Sequence, residues 1–198
     1  MTNHVNHVTL LIGGRGTGKT TYIKETMILS SPLKKKLIID TFDNPVWRDM
    51  ESVNHPENSN IPIPVMDISK IKYWKSGIYR SYSSRPHELF EVVKEDLYNT
   101  TLVLDDATKI IPNSKCPSDI MEFIWDSKQK NLNVVLAFHS LMDVPANLVR
   151  ACDYLCLGKT NDARVPNKFD FLPELPKIFE YINKQSKNRY EKFTLQLN

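Results

Sequence analysis

Gly13-Gly14-Arg15-Gly16-Thr17-Gly18-Lys19-Thr20 places four glycines directly ahead of a lysine and a threonine. The spacing is G-x-x-x-x-G-K-[ST], a loop whose backbone N–H groups cradle phosphates. Lys19 would reach the β- and γ-phosphates, and the Thr20 hydroxyl would hold Mg²⁺. Arg15 and Thr17 serve through their backbone, with the Arg15 side chain turned outward, and Thr21 closes the set. A glycine-rich turn could match the pattern by chance, so its flanks matter. The apolar run Val8-Thr9-Leu10-Leu11-Ile12 feeds into it as a buried strand, and Ile23 and Met27 follow one helical turn apart. Strand, loop and helix N-terminus together aim N–H groups and the positive helix end at a phosphate chain. The stretch implies binding of a nucleoside triphosphate such as ATP, with Mg²⁺.

Such a site also needs an acid that orients Mg²⁺ through its water shell, held at the end of a buried strand. Thr101-Leu102-Val103-Leu104-Asp105-Asp106 supplies one. Asp105 reads as that acid, the Walker B residue. Asp106, next along, reads as the carboxylate that polarises the attacking water, or else as a cap on the loop after the strand. A further apolar run, Val134 to Phe138, ends in His139 and Ser140. Beside the other two motifs, His139 reads as a sensor of the γ-phosphate; without them it would read as a surface histidine.

These residues must be positioned by a sheet. The chain alternates short apolar runs with helical patterns, which predicts a parallel sheet covered by helices. Leu37 to Asp40 is a second buried strand, and residues 43 to 70 form an irregular excursion with a short strand near Pro64 to Met66. Gly77 to Arg80 is a further strand. A helix is expected from an N-cap at Ser84, with Pro86 in its first turn and Leu89, Val93 and Leu97 on one face. Ile120, Met121, Ile124 and Trp125 mark an amphipathic helix with Trp125 in the core. A short helix near Ala146 to Val149, a strand at Tyr154 to Leu157, a helix with Leu175, Ile178, Phe179 and Ile182 inward, and an edge strand with Phe193, Leu195 and Leu197 complete the order.

At 198 residues the chain suits one domain, residues 1–198. Its 41% hydrophobic and 25% charged residues are ordinary for a soluble globular protein. The apolar runs are too short to span a membrane, and no basic stretch followed by a long apolar run suggests a secretory leader. Three cysteines, Cys116, Cys152 and Cys156, lack metal-ligand spacing and suit reduced thiols in a cytoplasmic setting. A net charge of +3 is compatible with a nucleic-acid partner and does not itself argue for one.

The P-loop, the LIID strand at 37–40, the LVLDDA strand at 102–107 and VVLAFHSLMDVPANLVRACDYLCLGK at 134–159 together resemble the FtsK–HerA branch of P-loop ATPases, and within it the small viral genome-packaging ATPases. The resemblance implies a RecA-like, mainly parallel sheet of order 5-1-4-3-2, here with an extra C-terminal edge strand. It further implies ATP hydrolysis coupled to translocation of double-stranded DNA by a homo-oligomeric ring, a hexamer or pentamer. Capsid or membrane-associated virion proteins are the other partners it suggests, in the host cytoplasm or the virion. Three positions depart from the branch. Asp106 stands where a glutamate is usual, His139 where glutamine is common, and Lys128 near a frequent arginine. Lysine cannot make the planar bidentate contacts of arginine, so an arginine finger acting on the neighbouring subunit would come from elsewhere. Arg80 and Arg85 are the leading candidates and Arg150 the third, although each also suits a solvated surface. Two other functions fit a P-loop chain of this length: a small-molecule kinase, and a nucleotide-switched assembly protein with little turnover.

Overall fold

Strict alternation along five apolar runs divides their side chains between two cores. Leu10, Leu37, Leu102, Leu136 and Leu155 enter one hydrophobic cluster, while Leu11, Ile38, Val103, Val135 and Cys156 enter a second. Runs buried on both faces are the mark of a parallel sheet covered by helices on each side. The computed structural model describes residues 6–52 and 56–197. It contains one seven-stranded sheet of order β3-β2-β4-β5-β1-β6-β7. The strands are β1 (Val8–Ile12), β2 (Lys35–Asp40), β3 (Gly77–Tyr82), β4 (Thr100–Leu104), β5 (Leu132–Phe138), β6 (Tyr154–Gly158) and β7 (Lys192–Gln196). All neighbours are parallel except β6 and β7.

Setting aside β3 and β7 leaves β2-β4-β5-β1-β6. Numbered in chain order, these five strands run in the expected order of a P-loop NTPase. Strand β3 is an addition outside β2, and β7 is the antiparallel edge strand that the alternation of Phe193, Leu195 and Leu197 predicts.

Helices α2 (Pro86–Asp96), α3 (Ser118–Asp126), α4 (Ala146–Val149) and α5 (Leu175–Glu180) supply the larger cluster with Phe90, Phe123, Leu148 and Phe179, among others. The smaller cluster lies under α1 (Lys19–Tyr22), which continues as wider π-helical turns over Ile23–Leu29. Trp47, Met50 and Ile63 from the excursion between β2 and β3 close it. Cys116, Cys152 and Cys156 are buried and form no disulfide. Among the described residues no helix is long and apolar enough to cross a membrane.

Three local expectations are corrected. The strand near Pro64 to Met66 is reduced to a single bridge between Val65 and Arg80, because Pro62 and Pro64 lack the N–H donors of a ladder. Ser84 does not cap α2. Arg85 holds the cap position outside the helical region (φ −123°, ψ 71°), as the following proline requires, and the Ser83 hydroxyl accepts the Arg85 N–H at 3.0 Å. Trp125 is 63% exposed. The inward stripe of α3 runs through Ile120, Phe123 and Ile124 to Ser127, leaving Trp125 beyond its border. Phe123 instead meets Phe90 edge-on, ring centres 5.1 Å apart. Phe123→Ala is therefore expected to cost about 3–5 kcal/mol and Trp125→Ser less than about 0.5 kcal/mol. Urea unfolding of the two variants checks the assignment.

Candidate active site

Strand register brings the chemistry to one edge of the sheet. Ile12 pairs with Phe138, so Gly13 and His139 leave the sheet side by side. Ile39 pairs with Leu104, so Asp40 and Asp105 do the same two strands away. The loop 13–18 is fixed from both flanks: Gly13 N–H donates to Phe138 O at 3.2 Å and Gly14 N–H to Lys159 O at 2.7 Å. Within it the Thr17 hydroxyl donates to Gly14 O at 2.8 Å. Gly16 (φ 70°) and Gly18 (φ 75°) take left-handed conformations that a side chain would strain. Gly18 then occupies the N-cap of α1, whose first N–H groups have no partner within the helix and carry its positive end.

Lys19 is only 8% exposed. Its ammonium donates to Gly13 O at 2.6 Å and Gly14 O at 3.2 Å, and it meets His139 Nδ1 at 3.1 Å. An ammonium has no acceptor, so Nδ1 accepts and the imidazole proton resides on Nε2. Burial, and then the Lys19 charge, hold the His139 pKa below its ordinary value, which keeps the ring in that neutral form. Burial also lowers the pKa of Lys19, against the opposing pull of Asp105 and Asp106.

Asp105 Oδ2 accepts the Trp47 indole N–H at 2.7 Å. Burial raises the Asp105 pKa, and the Trp47 bond and the Lys19 charge oppose that rise. Asp106 follows in a left-handed conformation (φ 57°, ψ 59°), and its Oδ1 accepts the Thr108 hydroxyl. The Asp106 carboxylate is thus engaged with its own loop.

Asp40 and Trp47 are site residues that sequence reasoning missed. Asp40 is 5% exposed. Its Oδ1 accepts the Thr41 N–H at 2.7 Å, while its buried Oδ2 has no hydrogen-bond partner. Burial, followed by the Asp105 charge, pushes its pKa up to about 6. The available signal is the one that marks Asp105, an aspartate ending an apolar run. Trp47 carries no comparable signal.

The Thr20 hydroxyl, the Asp105 carboxylate and the orphaned Asp40 Oδ2 are hard oxygen donors. They suit Mg²⁺, which keeps several waters and takes one or two carboxylates plus substrate phosphates.

The arginines separate. Arg80 lies inside β3, 8% exposed, with Nη1 paired to Asp43 Oδ1 and Nε donating to Ile63 O at 3.1 Å. It ties the excursion to the sheet and is not built to project into a neighbour, which corrects its candidacy as a finger. Arg85 is exposed at the start of α2, with Nη1 3.1 Å from Glu88 Oε1. Lys128 bonds Asp153 Oδ1 at 3.0 Å. Arg150 is exposed at the end of α4, and Arg15 is exposed in the loop.

The sequence matches no protein-family model and no curated protein. Solved structures do share the fold. The genome-packaging NTPase B204 from Sulfolobus turreted icosahedral virus 2, in complex with AMPPCP, aligns with a TM-score of 0.71 and 16% identity over 97% of this chain and 93% of that one. Its complex with ATP-γS gives 0.68 and 16% identity over 98% and 93%. B204, the DNA-packaging ATPase from Sulfolobus turreted icosahedral virus, gives 0.66 and 16% identity over 97% and 93%. At this identity the likeness is one of fold, and the fold of the chain is that of a P-loop NTPase.

Asp40 makes the site's electrostatic cost measurable. Its folded pKa of about 6 exceeds the ordinary 3.8, so between these values the folded chain binds the proton more tightly than the unfolded one. Stability is therefore lost as pH rises through this window. Asp40→Asn keeps an oxygen for the Thr41 N–H and removes the titration. In EDTA, the variant is expected to gain on wild type by about 1–3 kcal/mol between pH 4 and pH 7.5. Urea unfolding at both pH values measures this, and a difference that does not change with pH would remove the assigned shift.

Proposed function

We propose that this chain is an ATPase of the FtsK–HerA branch that drives double-stranded DNA translocation, as a viral genome-packaging motor. The observation carrying the reading is the convergence of Lys19, Asp105 and His139 at one sheet edge, beneath a glycine loop held from both sides. The fold shared with B204, a packaging NTPase, supports it.

In this reading the triphosphate lies along loop 13–18, over the N-terminus of α1. Lys19 exchanges the Gly13 and Gly14 carbonyls for β- and γ-phosphate oxygens. Thr20 and Asp105 would hold Mg²⁺, which would supply charge neutralisation across the phosphates. His139, linked to the Lys19 ammonium, is placed to register loss of the γ-phosphate. Asp106 polarises the attacking water through Oδ2, while its Oδ1 accepts the Thr108 hydroxyl. Arg85 of one subunit completes the site of the next in a ring. The grip on DNA is electrostatic and independent of sequence. The bond between Asp106 and Thr108 favours one other reading, a nucleotide-switched assembly protein that binds ATP and turns it over little.

Lys19→Ala should abolish phosphate release and weaken MgATP binding at least about 10-fold, the equivalent of one lost charge-assisted contact. Calorimetry and a phosphate-release assay, each with and without double-stranded DNA, test both parts. Unchanged turnover in the variant would remove the P-loop from the mechanism, and ATP binding without DNA-stimulated turnover would favour the switch.

Completion of the site by a neighbour makes activity depend on assembly. Turnover should rise with protein concentration or on DNA, and should fall on the order of 10³-fold in Arg85→Ala. Mixing Arg85→Ala with Asp106→Asn subunits should restore part of it, at interfaces where an intact aspartate faces an intact arginine. Full turnover by a dilute monomer, indifferent to Arg85, would contradict the ring and favour a kinase.

A further inference from the structure

Sheet order gives a bound triphosphate a direction. Asp40 and Asp105 lie on the β4–β2 side of the P-loop strand, and His139 ends β5, while β6 and β7 lie on the opposite side. A γ-phosphate near Lys19 and Asp105 therefore sends the α-phosphate and nucleoside toward β7. A cavity of about 610 Å³ opens there, within the size range of small-ligand sites. Gly18, Thr21 and Tyr22 line it from the loop and α1, and Asn188, Tyr190 and Lys192 from the segment that leads into β7.

That segment is bonded to the loop itself. Arg189 Nη2 donates to Arg15 O at 3.1 Å, and Lys192 Nζ donates to Thr17 O at 3.0 Å. Asn188 Oδ1 accepts the Tyr190 N–H at 3.0 Å, and Lys192 Nζ also donates to Tyr190 O at 3.1 Å. Tyr190 is thereby fixed in its backbone, yet the residue is 64% exposed. Its ring is so close to Gly18 that a Cβ there would stand 3.0 Å from the ring edge. The segment that carries this ring is thus fixed by four hydrogen bonds, and among the described residues no aromatic ring or cation stacks on it, which leaves a face open beside the phosphate loop.

We propose that Tyr190 carries the base of the bound nucleotide, with Tyr22 lining the same cavity and the Asn188 amide supplying polar atoms at the edge of the base. The nucleobase is thus held by the segment before β7 and the triphosphate by the P-loop. This assignment rests on the triphosphate reading above, and its test separates the two. Binding of MgATP and of magnesium tripolyphosphate, which has no base, is measured by calorimetry on the full chain and on Tyr190→Ala and Tyr190→Phe. Stacking on one base predicts that Tyr190→Ala weakens MgATP about 5- to 100-fold and leaves tripolyphosphate within about twofold. Tyr190→Phe keeps the ring and should bind MgATP like wild type. Unchanged MgATP affinity in Tyr190→Ala overturns the base site alone. So does equal weakening of both ligands, which would make Tyr190 a support for the loop. A wild-type chain that binds neither ligand overturns the phosphate site, and the base site with it.

Discussion

The buried ammonium of Lys19 is the charge around which this edge of the sheet is arranged. A cation removed from water is costly unless nearby acceptors and negative charge replace its hydration. Here the acceptors are two carbonyls of its own loop and a neutral imidazole, and the nearby charge is that of Asp105 and Asp106. Each compensating group arrives on a different element. The loop is held between β5 and the residues after β6, His139 ends β5, and Asp105 ends β4. Their convergence therefore depends on the crossed strand order rather than on proximity in the chain.

The same arrangement leaves the carboxylates in poor electrostatic positions. Asp40, buried, and Asp105, half-buried, leave adjacent strands in register, and each is pushed toward its neutral form. The Trp47 indole N–H relieves Asp105, the Thr41 N–H and hydroxyl relieve Asp40 Oδ1, and Asp40 Oδ2 has no donor. A fold selected for stability alone gains nothing from an orphaned carboxylate oxygen. A site built to take a divalent cation and phosphate would, and perturbed carboxylates gathered in one cleft are a mark of function.

What could be read from sequence divides along physical lines. Loop 13–20, Asp105 and His139 are legible because each follows an uninterrupted apolar run whose end is unmistakable. Asp40 ends such a run too, but its meaning depends on β2 lying beside β4, a long-range pairing that local pattern does not contain. Trp47 reaches Asp105 from an irregular segment of turns and prolines, where no periodicity exists to read. Arg80 looks available as an isolated arginine; Asp43 and Ile63 return from that same segment to bury it. Trp125 fails for a different reason. A helix stripe read from four residues admits two borders, and the packing of Phe123 on Phe90 decides between them.

A triphosphate bound as proposed lies along loop 13–18, with its γ-phosphate at the edge formed by β4, β5 and β1. A backbone ¹⁵N–¹H NMR titration of the intact chain with MgATP locates the ligand without relying on turnover. The largest shifts are expected on the amides of Gly14 to Thr21 and on Asp105 and His139. Shifts confined to other parts of the surface, with the amides of residues 13–21 unmoved at saturation, would contradict this placement.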